Sequence, residues 1–194
     1  MEKVDYNKKM HEIINELNGE KPTLLLHSCC APCSSSVLER ILPYFDVTVL
    51  YYNPNIMPQE EFEKRKAEEI KYLEKLGVKY LDIDYSHEEY LAAVKGKEML
   101  PEKSAKCYCC YKLRIEKTAQ IAKQKGFDYF CTTLTVSPHK IAQWVNELMF
   151  EISAKYGVNC LFSDFKKENG YLRSIQISKE ENFYRQNYCG CKFN

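Results

Sequence analysis

The sequence predicts an open α/β domain, a parallel sheet covered by helices on both faces in a three-layer α/β/α arrangement. Two observations predict it. Short apolar runs alternate with longer amphipathic segments, and no repeat, low-complexity stretch or Gly/Ser linker breaks the alternation. The 194 residues suit one domain, and 45% hydrophobic with 28% charged residues excludes a disordered chain. No apolar run reaches the ~18–20 residues a membrane span needs, so no membrane partner is expected. The amphipathic, acidic N-terminus lacks the basic-then-apolar order of a signal peptide, and a cytoplasmic protein is expected.

The elements follow in order. Residues 23–27, TLLLH, read as a buried strand, and residues 34–42 continue as a helix. Residues 47–52 form a β-branched and aromatic strand that Asn53-Pro54-Asn55 stops. Residues 59–76 place Phe62, Ile70, Leu73 and Leu76 at helical spacing, and Gly77 ends the helix. A strand at 80–83, a helix at 86–94 and a long helix at 107–125, closed by Gly126, come next. A strand at 129–134, a helix at 139–155 and a strand at 158–162 complete the alternation. The chain reads as one domain over 1–194, whose tail, 166–194, holds one more helix and carries a Cys-Gly-Cys motif at 189–191.

In such folds ligands sit beyond the carboxyl ends of the strands, where strand order reverses, and the first strand usually lies beside that point. Here it runs directly into His27-Ser28-Cys29-Cys30-Ala31-Pro32-Cys33. No glycine occurs there, so thiols occupy the presumed site in place of a phosphate-binding loop. Pro32 suits the first turn of the helix that follows.

Net charge is +1, but its distribution is uneven. Residues 1–94 are acidic, whereas 95–125 hold 9 basic and 3 acidic side chains. That basic segment suits a polyanion such as RNA, or equally a solvated helix face balancing an acidic half.

Cysteine is the anomaly. Ten in a chain expected in a reducing compartment argue for metal or redox chemistry rather than a disulfide framework. Eight fall in three groups, Cys29/Cys30/Cys33, Cys107/Cys109/Cys110 and Cys189/Cys191, while Cys131 and Cys160 stand alone in apolar runs. A helix N-terminus favours the thiolate at the first group, and Cys30-x-x-Cys33 also has the spacing of a redox dithiol. Cys107 and Cys110 share one helical face. Two thiols from each segment make four, a set that suits a tetrahedral zinc or a [4Fe–4S] cluster, and spacing does not choose. A Cys-x-Cys disulfide closes a strained ring of the labile, electron-exchanging kind, which Gly190 has the freedom to close. A redox or a metal-ligand role is expected for that pair. A metal centre with a spare dithiol favours a reductase. A cluster passes single electrons, reductive loss of an oxygen takes two, and a dithiol or second metal would hold the other.

LLLHSCCAPCSS, CYCCYKLR (107–114), TTLTVSPHK (132–140), DFKK (164–167) and YRQNYCGC (184–191) together resemble the epoxyqueuosine reductase QueH family, from about Leu24 to the last residue. The resemblance implies a cytosolic iron–sulfur oxidoreductase acting on tRNA that carries epoxyqueuosine at the wobble position. The epoxide is reduced to the cyclopentene of queuosine, the last step of queuosine synthesis, with electrons from an external donor. It implies Cys29, Cys30, Cys107 and Cys110 as [4Fe–4S] ligands and Cys189 with Cys191 as the redox-active pair. Cys33 and Asp84 are candidates for a second, mononuclear iron, an open Lewis-acid site for the epoxide oxygen. The family is similar in fold to ATP-pyrophosphatase (HUP-like) tRNA-modifying domains, but their SGGxDS loop is absent and no ATP use is expected.

Anticodon loops are read through unstacked bases on aromatic and Arg surfaces, with Lys and Arg on phosphates. Arg114, Lys140, Tyr184, Arg185 and Gln186 are the candidate substrate-binding residues, with Lys106, Lys112 and Lys117 on the basic helix. Proton donors are a thiol of the Cys189/Cys191 pair, Tyr184 or His27, although His27 at a strand end reads more simply as core. Two alternatives remain at this point: a metal-free thiol–disulfide oxidoreductase using Cys30/Cys33, and a zinc-stapled tRNA-binding module.

Overall fold

A computed structural model describes residues 4–186 and 188–191. Strands β1 (Thr23–Ser28), β2 (Asp46–Tyr51), β3 (Lys79–Asp82), β4 (Tyr129–Thr132) and β5 (Asn159–Cys160) form one sheet in the order β3-β2-β1-β4-β5. Every pairing is parallel. The chain lays β1, β2 and β3 outward in one direction, then returns to the other side of β1 with β4. Strand order therefore reverses between β1 and β4, the place where such sheets open a crevice.

Both faces are covered, as the apolar strands require. Leu24 and Leu26 point into one core and Leu25 into the other, the two-residue alternation of a strand. The first core lies under α1 (Tyr6–Glu16), α2 (Ala31–Ile41) and α3 (Gln59–Leu76). The second lies under α5 (Ala105–Lys125) and α6 (Ala142–Tyr156). The short α4 (His87–Ala93) packs on α5, and α7 (Gly170–Glu180) packs on α2. No helix among the described residues is long and apolar enough to cross a membrane.

Several boundaries differ from expectation for local reasons. β4 ends at Thr132, whose hydroxyl accepts the Leu134 amide at 3.2 Å and turns the chain into a 3₁₀ turn, Thr133–Val136. The strand expected at 158–162 keeps only Asn159–Cys160. Beyond it, Asn146 of α6 holds the Ser163 backbone through both amide atoms, at 2.9 and 2.8 Å, and draws the chain off the sheet. The sixth helix starts at Ala142, because residues 137–141 form a turn in which the His139 amide donates to Ser137 Oγ. In α3 the buried face is Phe62, Arg65, Glu69, Tyr72 and Leu73, while Leu76 is exposed. The helix is thus rotated from the purely apolar stripe, and Gly77 ends it at φ 67°, a conformation glycine adopts without strain.

Candidate active site

The loop from β1 to α2 builds the centre of the site. Cys30 caps α2, and the Cys33 and Ser34 amides both donate to its carbonyl, at 2.9 and 3.0 Å. This tight turn brings the sulfurs of Cys29, Cys30 and Cys33 within 4.8 Å of one another. Cys29 Sγ also lies 3.7 Å from Thr133 Oγ1, just past β4, so the group sits at the strand-order reversal. Hydrogen bonds from the Cys30 and Cys33 thiols, supported by the nearby Arg114 charge, hold the Cys29 thiol well below its ordinary range. The same contacts push Cys30 and Cys33 up. Three soft sulfur donors this close together are a set that a thiophilic metal or an iron–sulfur cluster fits.

Arg114 of α5 ties the ends of three elements together. It is 2% exposed. Its Nε donates to His27 Nε2 at 3.2 Å, its Nη2 to Asn53 Oδ1 at 2.7 Å, and its Nη1 lies 4.0 Å from Cys110 Sγ. Asn53 in turn donates to the Ser28 carbonyl at 2.8 Å. Burial, with Arg114 beside it, pushes His27 down to about 3, so the ring is neutral at physiological pH. It is a buried strap at the strand end, as its position suggested.

The remaining cysteines divide. Cys107 and Cys110 lie outside the three-thiol group. Cys107 packs into the core under α5 and α6, whereas Cys110 clusters with Tyr90, Val94 and Cys191, and burial raises its thiol to about 11. Cys189 lies 3.1 Å from Lys140 Nζ, and Cys191 lies 2.8 Å from Tyr90 Oη. Cys131 and Cys160 are buried, and burial pushes their thiols up to about 12 and about 11. Asp84 is exposed beyond edge strand β3 and also lies outside the thiol group.

A cavity of 640 Å³ opens over the thiols and carries four of the substrate-binding candidates, Arg114, Lys140, Arg185 and Gln186. Gln186 Nε2 reaches Cys30 Sγ at 3.3 Å. Tyr184 does not line the cavity; it rests on α3, with its amide on Glu68 and Lys64 over its ring. Lys106 is 1% exposed, and Lys112 and Lys117 pair with Glu151 and Glu89.

Sequence reasoning missed Arg65 and Glu69. Arg65 lines the cavity, donates to Glu61 at 2.7 Å and to the Cys189 carbonyl at 3.4 Å, and lies over the Tyr188 ring. Glu69 is fully buried, accepts from Ser34 Oγ at 2.9 Å, and burial pushes its carboxyl up to about 8. The 62–65–69–72 spacing was the available signal, but two charged letters disguised it.

A parallel α/β sheet with a thiol group at the strand-order reversal defines an α/β protein whose three clustered cysteines could hold a soft metal. The same fold occurs in the U34-tRNA thiolase NcsA from Methanococcus maripaludis, solved with its [4Fe-4S] cluster. That structure matches with a TM-score of 0.60 at 15% identity, covering 97% of this chain and 67% of the other. The profile of the family described as epoxyqueuosine reductase QueH matches residues 24–194. Relatives bearing that name include proteins from Staphylococcus epidermidis, at 40% identity over 99% of this chain and 85% of the relative, and from Thermotoga maritima, at 38% over 88% and 89%. The chain belongs to the epoxyqueuosine reductase QueH family.

Proposed function

We propose that the chain is a cytoplasmic epoxyqueuosine reductase that takes the modified wobble base of tRNA into the 640 Å³ cavity. The observation that carries this reading is the thiol group Cys29, Cys30 and Cys33 opening onto a cavity walled by Arg65, Arg114, Lys140 and Arg185. A flipped base needs stacking and cationic surfaces beside the reacting centre. Tyr171 and Tyr188 on the cavity wall supply rings, and Arg185, an exposed cation on the same wall, suits a phosphate.

Removing the epoxide oxygen breaks two C–O bonds, consumes two electrons and two protons, and leaves an alkene and water. Closing a Cys189–Cys191 disulfide would release that number of electrons and protons, and an external reductant would reopen it. Cys29 and Cys30, with Cys107 and Cys110, are the proposed holders of a [4Fe–4S] cluster; Cys33 is the third thiol at hand and the competing ligand. When bound, such a cluster supplies one-electron transfer beside the base. Arg114 faces the cavity with no carboxylate partner among the described residues, which suits it to an oxygen that gains negative charge as a C–O bond opens.

Anaerobic purification with iron and sulfide analysis, followed by turnover on tRNA containing epoxyqueuosine, tests the reading. Equal iron and sulfide with turnover is expected; iron in excess over sulfide would add a second, mononuclear iron. Zinc without iron, or metal-free protein that reduces disulfides, would replace the reading with a zinc module or a dithiol oxidoreductase. Cys29→Ser should lose iron.

A further inference from the structure

Cys189 and Cys191 are two residues apart but have different surroundings. Cys189 lines the cavity with Lys140 Nζ 3.1 Å from its sulfur. Cys191 is 7% exposed, packed with Val94 and Cys110, and 2.8 Å from the Tyr90 hydroxyl. Gly190 between them has φ 100°, and a Cβ there would fall 3.0 Å from Ile56 Cγ1 and 3.2 Å from Arg65 Nη1. That close approach leaves the turn to glycine.

Lys140 is the other half of the asymmetry. Its side chain is 9% exposed, so it is poorly placed for a phosphate in solvent. Burial alone would favour its neutral form, but the sulfur of Cys189, then Tyr111 and Glu102, outweigh burial and keep the ammonium charged. Glu102 is the more distant partner at 3.4 Å and is 40% exposed. Other groups whose charge bears on Cys189 are Arg114, Cys110 and Tyr111 from α5 and Tyr90 from α4; Arg65 of α3 reaches only its carbonyl. No hydrogen bond joins Cys189 to cysteines 29, 30, 33, 107 or 110 among the described residues.

We propose that Lys140 is the counter-ion that makes Cys189 the reactive member of the pair, with Cys191 the shielded member behind it. Lys140 is then a positioning residue that acts through the Cys189 sulfur. This rests on the proposed role of the two cysteines as a working pair. A cation in contact with a thiol favours the thiolate, the form that attacks an electrophile.

Iodoacetamide labelling of the reduced, anaerobically prepared full chain tests this; the thiolate displaces iodide, and fragment-ion mass spectrometry separates Cys189 from Cys191. Cys189 should label faster than Cys191 at pH 7. Lys140→Met should slow Cys189 about tenfold, while Lys140→Arg restores most of the rate. Glu102→Gln, which removes the competing acceptor, should keep or raise the Cys189 rate without touching the pair. An unchanged Cys189 rate in Lys140→Met, faster labelling of Cys191, or a slower Cys189 in Glu102→Gln would overturn the proposal. Steady-state turnover of Cys191→Ser tests the working-pair reading separately, because labelling does not depend on turnover.

Discussion

Arg65 and Arg114 reach the cavity from opposite faces of the sheet, each 2% exposed, yet they are neutralised differently. Arg65 donates to Glu61 four residues earlier on α3, so its charge is answered within its own helix. Arg114 meets a neutral histidine, an asparagine and sulfur, and no carboxylate among the described residues. A buried cation paired with its own carboxylate shapes a wall. One left to polar neutral groups keeps its charge for whatever anion enters or forms beside it.

Replacing each arginine sharpens this contrast. Arg114→Met should lower activity or iron retention about 10–100-fold, by removing the charge beside Cys29 and stranding Asn53 Oδ1. Arg65→Met should cost about 1–3 kcal/mol of stability through the stranded Glu61 while lowering activity less than tenfold. Equal losses of activity would break the comparison; turnover and urea midpoints read both.

Glu69 comes next in expected effect. Its ordinary value is 4.5, raised in the fold to about 8 by burial. Between those values the unfolded chain has released a proton that the folded chain keeps. Its contribution is therefore fully present below about 4.5, declines as pH rises, and levels off above about 8. Glu69→Gln should flatten the fall of the urea midpoint between pH 6 and pH 8, and an unchanged slope would show that the carboxyl titrates normally. Lys117→Ala sits at the small end. Its half-buried pair with Glu89, at 3.3 Å, should be worth under about 1 kcal/mol of stability.

The sheet and the β1–α2 thiol turn were legible because their signals are local: a run of leucines, then cysteines next to one another with Pro32 among them. The long helices were legible by spacing and by Gly77 and Gly126. What was not legible depends on burial of charge. Arg65 and Glu69 read as surface letters on α3, and Arg114 and Lys140 read as phosphate grips although both are enclosed. Only packing between distant segments reveals those roles. β5 was overdrawn for a similar reason, since Asn146, from another element, claims the chain at Ser163.

The Met57 amide donates to the Gly190 carbonyl at 2.8 Å, joining the segment after β2 to the cysteine-bearing tail. A single backbone proton therefore records whether that wall of the cavity is docked. Deuterium uptake at Met57, set against slow uptake in the central strands, would distinguish a brief peeling of the tail from unfolding of the whole molecule.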